Sequence, residues 1–140
     1  MYRIAIDTNV IISAMRSKQG ASNKFLRLLG TGKFESVISV PLILEYEEVC
    51  KRMMPALGLS EQQIEGFIDY FCTVSLHRKI FYLWRPSLRD ADDEFLLDLA
   101  VEAQVDYIVT FNKKDFRGVE RFNIELATPK EFMQILGVHP

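Results

Sequence analysis

A lone carboxylate set between two apolar runs constrains this chain more than any other feature. Ile4-Ala5-Ile6 has the continuous apolar character of a strand buried on both faces, Asp7-Thr8-Asn9 interrupts it, and Val10-Ile11-Ile12 resumes it. A solvated face does not suit a carboxylate so flanked. The end of a strand in an open α/β sheet does, because the next helix starts there and such sheets hold ligands outside the carboxyl ends of their strands. The later segments therefore matter through the acids they bring to that edge.

After this strand, Asn9 to Met15 is expected as a short helix that breaks at Ser17-Lys18-Gln19-Gly20. Ser22 is a cap candidate for a second helix carrying Phe25, Leu28 and Leu29, stopped by Gly30 and Gly32. Phe34 to Val40 is the second strand candidate, and Pro41 suits the first turn of the following helix. There Leu42, Tyr46, Val49, Cys50 and Met53 recur at helical spacing, which assigns Cys50 to the core and puts Glu45 one turn in. Met54-Pro55 ends that helix. Ser60 and Gln63 form a capping-box pattern for the next, whose core stripe is Ile64, Phe67, Ile68 and Phe71.

Thr73 to Leu76 is a short strand candidate, and His77 to Arg89 an irregular, basic and aromatic stretch with Phe81, Tyr82 and Trp84. The acids from Asp90 to Glu94 then open a helix, where they favour the macrodipole. Its body is apolar over a broad arc, and Glu94, Asp98 and Glu102 recur every four residues as its expected wet face. Tyr107 to Val109 is a clean buried strand and Ile124 to Leu126 a short last one. Thr128-Pro129-Lys130-Glu131 is a second capping box, opening a final helix to Gly137.

Strands alternating with helices predict a three-layer α/β/α sandwich around a mostly parallel sheet of four to five strands. At 140 residues, 1–140 is expected as a single domain. No apolar stretch approaches the roughly 18 residues of a membrane span, so no membrane partner is expected. The start of the chain has no signal-peptide pattern, and Cys50 and Cys72 make no disulfide framework, so a reducing cytoplasm fits.

In right-handed β-α-β crossovers each helix begins at the edge where its preceding strand ended. Asp7 ends the first strand, and Glu45 lies in the early turns after the second. Asp93 opens the helix after the third, while Asn112 and Asp115 follow the fourth. All five are expected at one carboxyl edge. Carboxylates so grouped raise each other's pKa and must share protons or bind a cation. Oxygen ligands alone suit Mg²⁺ or Mn²⁺; the histidines, His77 and His139, lie outside the group, which argues against zinc. The net charge of −2 hides an uneven distribution. Residues 1–34 hold six Lys/Arg against one acid, residues 90–106 seven acids and no base. An acidic centre rimmed by basic segments suits an enzyme acting on phosphates.

Four motifs carry a resemblance. Ile-Asp-Thr-Asn-Val-Ile-Ile-Ser-Ala at 6–14, Ser-Val-Pro-Leu-Ile-Leu-Glu-Tyr-Glu-Glu-Val at 39–49, Arg-Asp-Ala-Asp-Asp at 89–93 with Ala100 seven positions after Asp93, and Tyr-Ile-Val-Thr-Phe-Asn-Lys-Lys-Asp-Phe at 107–116 resemble the PIN-domain family. The likeness is strongest to its subgroup of toxin components of toxin–antitoxin pairs. The resemblance implies a compact α/β/α fold and Mg²⁺- or Mn²⁺-dependent cleavage of RNA. It also implies a homodimer and a small antitoxin protein that blocks the site. Asp7, Glu45 and Asp93 match the first three family acids as catalytic metal ligands, and Thr8 and Asn9 match the polar residues that buttress the first. Asn112 stands at the fourth acid position, where Asp115 one turn on is the alternative ligand; Thr110 is a supporting hydrogen-bond partner. Two rival readings remain: a PIN-like module that binds RNA or protein without cutting, and a haloacid-dehalogenase-like phosphatase using Asp7 as nucleophile. Asn9 stands where the phosphatase needs a second Asp.

Overall fold

In the computed structural model, residues 1–80 and 91–138 are described, with residues 91–94 described for their backbone only. Five parallel strands form one sheet in the order β3-β2-β1-β4-β5. They are β1 (Arg3–Ile6), β2 (Glu35–Ile38), β3 (Leu76–His77), β4 (Tyr107–Val109) and β5 (Glu125–Ala127). The helices are α1 (Thr8–Arg16), α2 (Ala21–Leu26), α3 (Val40–Arg52), α4 (Met54–Leu57), α5 (Glu61–Val74), α6 (Ala91–Glu102) and α7 (Pro129–Ile135). Two single-turn 3-10 helices, Lys113–Phe116 and Val119–Phe122, take the place of an α-helix between β4 and β5. This is the three-layer α/β/α arrangement expected from the alternation of elements.

β1 lies at the centre because it is apolar on both faces. Ile4, Ala5 and Ile6 are fully buried, between β2 on one side and β4 on the other. The chain builds leftward from β1 to β3, then returns to the other side of β1 for β4 and β5. The strand order therefore reverses between β1 and β4, which opens a crevice at their carboxyl ends. Ile4 pairs with Tyr107 and Ile6 with Val109, so Asp7 and Thr110 leave the sheet side by side.

Several boundaries differ from the sequence reading, each for a local reason. Ser22 lies buried inside α2, and Gly20 occupies the N-cap position. The second strand stops at Ile38, because the Ser39 hydroxyl accepts the Leu42 N–H and starts α3 at Val40. Pro55 does not end the helical path; it sits in the first turn of α4. Thr73 and Val74 remain in α5, where the Thr73 hydroxyl donates to the Asp69 carbonyl, and only Leu76 and His77 pair with β2. The last strand is shifted by one residue, to Glu125–Ala127. Asp98 is not on a wet face: it is buried, because α6 packs on β1, on β2 and on α3 at once. Both capping boxes are present as read. The loop aromatics Phe81, Tyr82 and Trp84 and the terminal His139 lie outside the described residues, as does the side chain of Asp93.

Candidate active site

Asp7 is the residue around which the carboxyl edge is arranged. Its backbone N–H donates to the Val109 carbonyl at 2.9 Å, carrying the β1–β4 ladder one step beyond the strand. It occupies the N-cap position of α1 in extended conformation, yet its carboxylate makes no capping hydrogen bond. Capping alone does not account for its contacts, although the Thr8 and Asn9 N–H groups at the start of α1 lie near enough to favour its ionised form. Instead Oδ2 accepts the Thr110 hydroxyl at 2.7 Å, and the same Thr110 oxygen accepts the Asn112 N–H at 3.0 Å. A directed chain runs from the Asn112 backbone through Thr110 to Asp7.

Burial raises the pKa of Asp7. Desolvation is the leading cause, and the charge of Asp115 adds to it. The Thr110 hydrogen bond and the nearby N–H groups of Thr8 and Asn9 oppose the rise. A buried carboxylate whose ionised form is costly gains from a neighbouring positive charge.

Glu45 reaches the same place from α3. The Thr8 hydroxyl donates to its Oε2, so two adjacent threonine-class contacts hold the two acids: Thr110 on Asp7 and Thr8 on Glu45. Beneath them Tyr46 is fully buried, and its hydroxyl donates to the Ile6 carbonyl. Its pKa is raised well above the usual phenol value by desolvation first, then by the charges of Asp7 and Glu45. Asn9 accepts the Phe111 N–H through its side-chain oxygen at 3.5 Å, a long bond that links the start of α1 to the segment after β4. A cleft of about 360 Å³ opens beside Glu45, walled by Val40, Pro41, Leu44 and Phe95.

The expected residues are thus reached unequally. Asp7, Thr8, Glu45 and Thr110 are joined by hydrogen bonds as pairs, and Asn9 and Asn112 tie in through the backbone of 111–112. Asp115 is exposed in the first 3-10 turn and acts on Asp7 through its charge. Asp93 lies in the first turn of α6. Among the described residues, no three His, Cys, Asp or Glu side chains converge as a ready metal-holding group. The donor chemistry present, carboxylate and amide oxygens without sulfur or imidazole, fits a hard divalent cation. Tyr46 was missed by the sequence reading. Its signal was a tyrosine on a buried stripe next to Glu45, since a buried phenol needs a partner for its O–H.

Against this geometry, the family model described as PIN domain matches residues 3–114. The chain belongs to the PIN domain family. The uncharacterized protein MJ1680 of Methanocaldococcus jannaschii is 25% identical over 146 residues, covering 94% of this chain and 90% of that protein. The ribosomal protein uS12 methylthiotransferase RimO of a Janthinobacterium species is 31% identical over 107 residues, 74% of this chain. The match spans only 23% of that longer protein. A chain in the crystal structure of VapBC2 from Rickettsia felis, bound to a DNA fragment from their promoter, aligns with a TM-score of 0.61 at 16% identity. It covers 90% of this chain and 98% of that one, a likeness of fold.

Proposed function

We propose that this PIN-domain chain is a Mg²⁺- or Mn²⁺-dependent endoribonuclease and the toxin of a toxin–antitoxin pair. The observation that carries the reading is the pair of hydroxyl-held carboxylates, Asp7 and Glu45, at the point where the sheet reverses its strand order. Asp7, Glu45 and Asp93 would hold the cation, with Asn112 or Asp115 as the further ligand and Thr8, Asn9 and Thr110 in support. A bound cation there supplies a water of lowered pKa and neutralises charge on a phosphodiester oxygen. The chain's own part is to keep Asp7 oriented through Thr110 and Glu45 oriented through Thr8. Burial of Asp7 also strengthens its attraction for positive charge. Under this reading RNA is the substrate, a small antitoxin protein and a second copy of the chain are partners, 1–140 is one domain, and the cytoplasm is the setting.

Cleavage of total RNA by the purified protein, with cut sites mapped, tests it. We expect Mn²⁺-dependent products that EDTA removes and that Asp7→Asn reduces by at least about a hundredfold, the scale of a lost electrostatic contact in a transition state. Products that persist in Asp7→Asn or in EDTA would refute the assignment. A binding module without catalysis is favoured by one observation, the neutral Asn112 after β4. RNA binding without any metal-dependent product would select it.

A further inference from the structure

A groove of about 400 Å³ adjoins the site at Thr8 and Asn9. One wall is a single face of α1, formed by Thr8, Asn9, Ile12, Ser13 and Arg16; Val49 and Met53 of α3 form the other. The face repeats at helical spacing, so the groove follows the axis of α1 from the carboxyl edge to the helix C-terminus. The rise of an α-helix puts Arg16 about 12 Å from Thr8, a span that an extended strand crosses in roughly two nucleotides.

The groove's chemistry is unlike that of the centre it adjoins. Its lining is largely apolar and contains no carboxylate; Asn9, Ser13 and Arg16 can donate hydrogen bonds from it, the Thr8 hydroxyl being engaged by Glu45, and its one charge is a cation. Arg16 is exposed, and among the described residues no acid pairs with it. Arg52 on the neighbouring helix differs, because Glu48 one turn back lies 3.8 Å from its guanidinium. A cation at a helix C-terminus complements the macrodipole, and that alone would explain Arg16 as a stabilising residue. It does not explain why the cation stands at the end of a groove that begins at Thr8 and Asn9, beside the acidic centre, and holds no acid of its own.

We infer that this groove carries the substrate strand away from the scissile position, with Arg16 holding a backbone phosphate about two nucleotides from it. The inference rests on the ribonuclease reading and adds a positioning residue to it. A phosphate there is held through charge, so base identity matters little and ionic strength matters a great deal.

The probe is a labelled oligouridylate of roughly twelve nucleotides, long enough to cover the centre and the groove. Its affinity for the full chain is measured against salt by fluorescence anisotropy, in wild type, Arg16→Ala, Arg16→Lys and Arg16→Glu, with melting temperatures recorded for each. Arg16→Ala is expected to weaken binding about fivefold and to lower the slope of log affinity against log salt by about one. Arg16→Lys should restore both, Arg16→Glu should weaken binding further, and KM for a mapped cleavage site should rise with kcat within about twofold. Shortening the strand on one side of the cut should erase the difference between wild type and Arg16→Ala. An unchanged salt slope in Arg16→Ala, or a loss that appears as a lowered melting temperature and is equal for shortened strands, would overturn the inference while leaving cleavage by the wild type intact. A wild type that neither binds nor cuts RNA would instead remove the ribonuclease reading and this inference together.

Discussion

Under the proposed function, Asp7 sets activity against stability. Its carboxyl is raised from the ordinary value of 3.8 mainly by burial, so the folded state resists its ionisation more than the unfolded chain does. Between the unfolded and folded pKa values the native state holds the extra proton. Stability contributed by this group is therefore full below the unfolded value and is lost as pH rises through the folded one. In EDTA, Asp7→Asn should thus raise the melting temperature near pH 7, by roughly 3 °C for a chain of this size. The gain should shrink toward zero as pH falls to about 4. Asn keeps an oxygen able to accept the Thr110 hydroxyl, so the shape of the site is retained. Thermal melts of both proteins across this pH range check the sign; a lowered melting temperature at neutral pH would mean the carboxylate is stabilised more than its burial implies.

Among the elements, the two capping boxes were legible in the sequence because their chemistry is local, whereas Ser22, without such a reciprocal partner, lies inside α2. Thr128 accepts the Glu131 N–H at 3.2 Å while Glu131 accepts the Thr128 N–H at 2.8 Å, and Ser60 and Gln63 do the same for α5. Glu131 also meets Lys113 at 2.6 Å, tying α7 to the turn after β4. That contact, then the Thr128 N–H, lowers its pKa, so its contribution holds above about 4.5 and is lost as pH falls through the lowered value. Thr128→Ala should cost about 1 kcal/mol, seen as a lower urea midpoint at unchanged slope. What was not legible depended on distant neighbours. The polar spacing of Glu94, Asp98 and Glu102 gives no sign that Asp98 is buried. Thr73 and Val74 suit a strand by propensity, yet the Thr73 hydroxyl bonds within α5. At the site, Asp7 and Glu45 were readable because the order of elements sends both to one edge. The fastening of each acid by Thr110 and Thr8 required the pairing of Ile6 with Val109 and the approach of α3 to α1.

At the scale of the whole molecule, the two ends of the sheet have separate tasks. The carboxyl edge holds Asp7 and Glu45, whereas the amino edge is closed by aromatic rings. Phe132 of α7 is fully buried and lies edge-on to four of them: Tyr2 at 6.2 Å, Phe25 at 5.8 Å, Phe34 at 5.6 Å and Tyr107 at 5.4 Å between centroids. Tyr2 precedes β1, Phe34 precedes β2 and Tyr107 begins β4, so one side chain near the end of the chain fastens the starts of three strands. Deleting a buried phenylalanine costs about 3–5 kcal/mol, a large share of a domain's stability of roughly 5–15 kcal/mol. Phe132→Ala should therefore lower the melting temperature by about 10 °C or more, and Phe132→Leu by less. If the edges are separate and the proposed ribonuclease reading holds, RNA cleavage by Phe132→Ala, measured well below its melting point and corrected for the folded fraction, should remain within about twofold of wild type. A much larger loss in molecules shown to be folded would mean that the sheet transmits the packing of its amino edge to Asp7. The orientation of the carboxylates would then depend on β1 and β4 being clamped at both ends.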